Sequence, residues 1–540
     1  MKKQIENRFG RAPLLLLLLI MLIWIACARL GNDGEDTLII GITGDTDSFH
    51  PLLTRSRFGS EIAQLRFLNL MKEQPDFMTF KPELARSWNV EDGGKRIRVH
   101  LRTDVFWSDS VKVTARDVEF TYRKQTDDAI GWASSSIKDH IQAVTVIDDS
   151  TVDFIFDRPY MYQLMDINDG VILPAHALEG LSNEEFKKAF DRNIPENGPY
   201  RLQTWVPNQY MEFVGNELYF DKNTPKIKRV IFKIVPDKTQ LINQLKTGEI
   251  QVVDGLLPHE AAKLARLNQH LRVEHFPYIQ CVEIAWNLRK KLFSDVRVRK
   301  AMTLAIDREA LVDHLLSGYG KVCTGPIHPL LWAYNPNLKP LPFDPEQAKA
   351  LLKTAGWRDT DADGYLEKNG RKLEFGLLSN VESQLKKDAQ IMIQEMLKKV
   401  GIKVKIRRLE WSVYVEKLMG RDYDAVLVGL MSATKVDPMP AWHSSMIGVD
   451  GFNLSCYRNK RVDWIIEQAR ESASKERALP LWYEFQEIIV RDIPATFLWI
   501  PDRIVGLDSR IQGCTFSPVS TFYNLPQWYY QQNESSRGTE

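Results

Sequence analysis

The chain carries no excess of either charge: 71 Lys and Arg stand against 70 Asp and Glu, a formal net charge of +1. Such a balance sets up no global field that would draw the protein to nucleic acid. The charges are interspersed, without the single-sign runs that mark disordered tails. Fingerprints of catalysis and nucleotide binding are missing too, with no Walker A, G-x-G-x-x-G or G-x-S-x-G segment. HEAAK at 259–263 lacks the second histidine of a zinc protease motif. Cysteine is scarce, five in 540 residues, and no C-x-x-C occurs, which argues against zinc and dithiol redox chemistry. Beyond the N-terminal segment no stretch approaches transmembrane length, and no repeat or low-complexity linker interrupts the chain. These absences favour a soluble, non-enzymatic body with no cofactor and no metal.

What is present begins at the N-terminus. Lys2, Lys3, Arg8 and Arg11 precede an apolar run from Leu14 to Ile25, then Ala26 and Cys27. Twelve residues as a helix span roughly 18 Å, short of a hydrocarbon core of about 30 Å. Residues 1–27 therefore read as a signal peptide, with an uncleaved anchor helix as the alternative. The Ala-Cys ending resembles a bacterial lipobox, which implies lipidation of Cys27, although Trp24 stands where leucine is usual. Residues 28–36 are short and polar and read as a tether. Export exposes Cys281, Cys323, Cys456 and Cys514 to oxidation; four cysteines allow three full pairings.

The rest is rich in apolar residues, 44% with 14 tryptophans, enough for two or three domains. Leu38, Ile39, Ile40 and Ile42 place a strand over 37–43, and period-two alternation predicts strands at 96–101 and 151–156. Leu385, Ala389, Met392, Met396 and Val400 recur at three- and four-residue spacing, which predicts a helix over 384–400 ended by Gly401. Strands at 402–406 and 423–430 flank a helix at 413–419. Buried strands alternating with helices indicate α/β architecture.

A succession of motifs then appears: PELARSW (82–88), LRTDVFWSD (101–109), VTARDVEF (113–120), NGPY (197–200), LKTGEI (245–250), WN (286–287), VRVRKA (296–301), AIDR (305–308), AGW (355–357), DP (437–438) and WHSS (442–445). In this order and spacing they resemble the extracytoplasmic solute-binding proteins of the dipeptide and oligopeptide type, family 5 of the ABC transporter substrate-binding lipoproteins. The resemblance spans residues 37 to 530. Ser110 stands where that family has glycine, so an altered turn is expected there.

The resemblance implies a two-lobed periplasmic-binding-protein fold of class II type, cluster C, with an extra subdomain in the first lobe. Lobe I would comprise 37–70, 181–283 and 492–540, the inserted subdomain 71–180, and lobe II 284–491. Hinge strands are expected near 281–287 and 491–496, with closure trapping the ligand. A disulfide within one lobe would leave closure free, which favours Cys323–Cys456. The implied function is capture of a peptide and delivery to ABC permease subunits by a monomer held at the bilayer through its N-terminal anchor. Relatives of this type also carry nickel complexes, haem, opines or oligosaccharides, and a membrane-anchored sensor lipoprotein is a further alternative.

The family places an acidic residue for the ligand's α-ammonium where this chain has Asp437, a residue whose Asp-Pro context also suits a simple turn. Trp442, Trp286 and Asn287, and Thr54, Arg55, Ser56 and Phe58 in the loop after the first strand, are the other expected ligand contacts; the tryptophans equally suit a core. DTDADG at 359–364 opens like a calcium loop, but position twelve is Gly370, and a plain turn is the favoured reading. His443 near Asp437 lacks a third ligand for a metal.

Overall fold

The computed structural model describes residues 36–531, apart from 192–193, 268–269 and 449–450. The expected signal segment and Cys27 lie outside the described residues. A 12-stranded sheet runs through the molecule. Toward one end Thr37–Ile42 lies parallel between Arg229–Ile234 and Val252–Asp254, and the antiparallel strands Tyr210–Gly215 and Tyr200–Val206 complete that edge. The other end is a second parallel unit, with Glu374–Asn380 between Lys403–Leu409 and Ala425–Met431. These are the sheets of lobes I and II.

Local patterning accounts for the elements. Gln384–Lys398 forms a helix because Ser383 accepts a hydrogen bond from the Lys386 N–H at its start. Ala389, Ile393 and Leu397 are 0% exposed on its inner stripe; burial of each large side chain is worth about 1.5–3 kcal/mol. Gly401 ends the turn at φ +79°, and a Cβ there would lie 2.6 Å from Leu366 Cγ. Arg96–Leu101 and Thr151–Phe156 pair within a separate four-stranded antiparallel sheet, completed by Ala85–Glu91 and Ile141–Asp148. This sheet, with the helix Ala115–Gln125, has its own core around Trp107, Phe120 and Phe154.

The family motifs mostly do structural work. Thr114 and Asp117 form a capping box for the helix Ala115–Gln125, and Asp117 Oδ1 also accepts from the Ala175 N–H at 2.8 Å. Gly198 is required because a Cβ would lie 2.5 Å from the Leu65 carbonyl oxygen and the Arg66 carbonyl carbon. Ser110 adopts φ +71° and donates its N–H to the Trp107 carbonyl at 2.9 Å. The turn is therefore closed, and serine bears a conformation that favours glycine.

Strand pairing at the centre of the sheet bears on the expected hinge and on the expected disulfide. The long strand Ala495–Asp508 pairs with Gln280–Trp286 through Ala495, Thr496, Phe497 and Trp499, then with Leu271–Pro277 from Asp502 onward. The strand thus changes partner between Trp499 and Asp502, opposite the break between Pro277 and Gln280. All of Gln280–Trp286 is also registered with Ala425–Met431 of the second parallel unit. The expected Cys323–Cys456 bond is corrected: the disulfide joins Cys281 to Cys323, with Cα atoms 6.5 Å apart, while Cys456 and Cys514 are free thiols. Val282 and Val322 both register with Trp499, which carries their cysteine neighbours together.

Candidate functional site

A cavity of about 560 Å³ lies between the lobes and the inserted subdomain. The helix Arg57–Arg66 supplies Ser60, Glu61 and Gln64; the inserted subdomain supplies Lys72, Glu73, Phe77 and Asp169; and lobe II supplies 433–435 and Asp437. The loop at 517–523 completes the wall.

Direct contacts bridge the inserted subdomain and lobe II beside this cavity. Lys435 pairs with Asp166, the Val436 N–H donates to the Tyr162 hydroxyl at 3.2 Å, and Arg158 pairs with Glu471. Phe77, 1% exposed, belongs to the same core cluster as Ile279 and Leu331 of lobe II. The segment 433–437 is therefore held against the opposite wall.

The lining is rich in carboxylates. Burial raises the Glu61 carboxyl; Arg57 opposes that shift and Asp254 adds to it. Arg57 Nη2 lies 3.3 Å from both acids, and Arg503 forks onto Asp254 at 2.8 and 2.6 Å. Burial, reinforced by Asp169 and Asp76, pushes Glu73 up to about 7. Burial also pushes Glu83 up to about 7 against the pull of Lys72, and it depresses the Lys72 ammonium. A cleft of this kind suits a ligand that brings positive charge and donors of its own.

Asp437 lies on this wall, with its side chain 31% exposed. Its Oδ1 accepts from the Met439 N–H at 3.0 Å and meets Arg470 Nε at 3.0 Å; Oδ2 receives no hydrogen bond from the described residues. The turn and a wall position thus coexist. Thr54 also lines the cavity. Its loop is organised by Asp47, which accepts from the Thr54 and Ser56 hydroxyls at 2.6 Å each and from the Arg55 N–H at 2.7 Å. Burial works against the charge on Asp47, but these bonds outweigh it and hold the carboxyl at about 2.

The other expected contacts do not lie on the cavity wall. Ser56 caps the helix Arg57–Arg66 through the Gly59 N–H. Arg55 is exposed, and Phe58 packs edge-on against Phe232 at 5.4 Å. Trp286 is 0% exposed and donates Nε1–H to Thr496 Oγ1 at 3.1 Å. Asn287, also fully buried, donates to the carbonyls of Arg421 and Tyr423. Trp442 packs in the lobe II core near Phe497, with ring centroids 6.0 Å apart. These three are core residues, because each satisfies its polar atoms or its area inside lobe II. His443 is held by Ser445 and Glu467.

Sequence reasoning missed Glu61, Glu73, Lys435 and Asp166. Glu61 alone had a readable signal: it lies one turn before Leu65 on the buried stripe of its helix. The rest meet only in the tertiary structure. Among the described residues no helix is long and apolar enough to cross a membrane.

The family described as "Bacterial extracellular solute-binding proteins, family 5 Middle" matches residues 79–448. The oligopeptide-binding protein AppA of Bacillus subtilis is 29% identical over 501 residues, 91% of each chain. Its structure in complex with a nonapeptide superposes with a TM-score of 0.73 at 28% identity, covering 92% of this chain and 99% of that one. NikZ from Campylobacter jejuni in complex with Ni(L-His) gives a TM-score of 0.75 at 25% identity, covering 92% and 99%. On the match of sequence over most of its length and on the two-lobed fold, this chain belongs to the family 5 extracellular solute-binding proteins, a family of transporter binding components and not of enzymes.

Proposed function

We propose that this protein captures a peptide in the cavity between its lobes and delivers it to the permease of an ABC importer, anchored to the membrane through a lipidated Cys27. The observation that carries the reading is the position of Asp437, facing a carboxylate-rich cavity with Oδ2 free of hydrogen bonds from the described residues. A peptide's α-ammonium offers three donors and a positive charge, and exclusion of water on closure strengthens that pairing. Arg470 shares Oδ1, so it orients the carboxylate while the ligand takes the other oxygen. No histidine or cysteine of the described residues lines the cavity, which favours a peptide over a directly ligated metal complex.

The test is calorimetric titration with free and N-acetylated forms of one peptide. Asp437→Asn is expected to weaken binding of the free form by at least about tenfold, ~1.4 kcal/mol. The acetylated form should bind the wild type poorly and respond little to the substitution. Indifference of the wild type to acetylation, or a discrete metal complex in the native mass spectrum of the purified protein, overturns the reading. For the anchor, Cys27→Ser should move the protein from the membrane fraction to the soluble fraction or leave an unprocessed precursor.

A further inference from the structure

Residues 359–372 form a hairpin loop on lobe II, remote in sequence from every cavity-lining segment. Asp359, Asp361, Asp363 and Glu367 occupy positions one, three, five and nine of a calcium-type loop, and Gly364 occupies the sixth. One carboxylate oxygen from each of the four lies within 4.8 Å of the others. Oxygens bound at 2.3–2.6 Å on opposite sides of a calcium ion are separated by about 4.6–5.2 Å, so the spread of the four is no wider than the coordination shell of one ion. Magnesium, at about 2.0–2.1 Å, needs a tighter cluster.

A second observation points to a ligand. Glu367 is only 8% exposed. Its Oε2 accepts from the Thr360 N–H and hydroxyl at 2.8 and 3.0 Å, whereas its Oε1 is buried without a hydrogen-bond partner. A buried carboxylate oxygen with no donor carries an uncompensated desolvation penalty. Meanwhile Lys372, registered with Glu367 across the hairpin, places its ammonium on Asp363 and 3.6 Å from Asp361. That single charge serves two of the four acids and leaves Asp359 and Glu367 Oε1 without a cation.

We propose that Asp359, Asp361, Asp363 and Glu367 form a calcium site, the ion displacing the Lys372 ammonium and completing the coordination of Glu367. Position twelve is Gly370 and supplies no bidentate carboxylate, which places the affinity toward the weak end, about 10⁻⁴–10⁻³ M. The bound ion would pin the loop that carries the Arg358–Glu367 bridge and the Leu366 N–H bond to the Gly401 carbonyl.

The experiment is terbium luminescence of the full chain, excited through the aromatic side chains and displaced with calcium chloride. One saturable site with calcium displacement in the stated range is expected. Asp361→Asn with Asp363→Asn should abolish it while leaving the ion-free melting temperature and peptide affinity intact. Lys372→Gln should tighten binding several-fold, because it removes the competing cation. Absence of saturable binding, binding that survives the double substitution, unchanged affinity in Lys372→Gln, or equal displacement by magnesium each overturns the proposal.

Discussion

Replacing Lys435 with methionine removes the cation that lobe II places on Asp166 of the inserted subdomain. Asp166 is 1% exposed, and its Oδ2 has no hydrogen-bond partner. Burial drives its carboxyl up, Lys435, Lys138 and His140 pull it down, and it settles at about 6. Breaking a buried ion pair commonly costs about 3–5 kcal/mol because a charge is stranded. Here a smaller term wins, since the acid can escape by taking up a proton. Near pH 7 the ionised form is favoured over the protonated one by only about one pKa unit, roughly 1 kcal/mol, and that is the ceiling on the charge contribution of Lys435. The sign follows: Lys435 stabilises the ionised form, so the loss grows as pH rises above about 6 and disappears below it. At about pH 5.5, below that value, little of it is left. The pair joins segments 269 residues apart across the cavity, so on the proposed capture of a peptide between the lobes the penalty falls on the liganded form. Peptide titration near pH 7 should show binding weakened by up to about tenfold in Lys435→Met, and near pH 5.5 a much smaller change. An equal loss at both values would refute the reasoning.

Gly198→Ala should destabilise by more than about 1 kcal/mol, read as a lower urea midpoint, because its Cβ meets backbone atoms at 2.5 Å that cannot rotate away. Removing the Cys281–Cys323 bond by serine substitution opens a 42-residue loop and should lower unfolding free energy by about 4 kcal/mol on chain entropy; the fall should be absent when wild type is compared under reducing conditions. Ser110→Gly should raise stability by up to about 1 kcal/mol, since relief of the left-handed strain at φ +71° exceeds the added chain entropy; no gain in melting temperature would show that the turn is unstrained.

Much of the architecture was legible from the residues alone. Alternation at Arg96–Leu101 and the 3.6 period of Gln384–Lys398 each encode a local backbone and a buried face, whereas Thr151–Phe156 forms its strand but is buried on both faces. The ordered motifs added the family and the position of Asp437. Motif strength did not say which way a side chain points: Trp286 and Asn287 are signature residues, yet both close the lobe II core. The partner change of the strand Ala495–Asp508, the pairing of Cys281 with Cys323 and the gathering of carboxylates on the cavity wall were decided only in three dimensions. Lys435 and Asp166 are 269 residues apart. Local propensity acts over a few residues, whereas strand register and interlobe contact depend on how whole sheets pack, and no spacing in the chain records that distance.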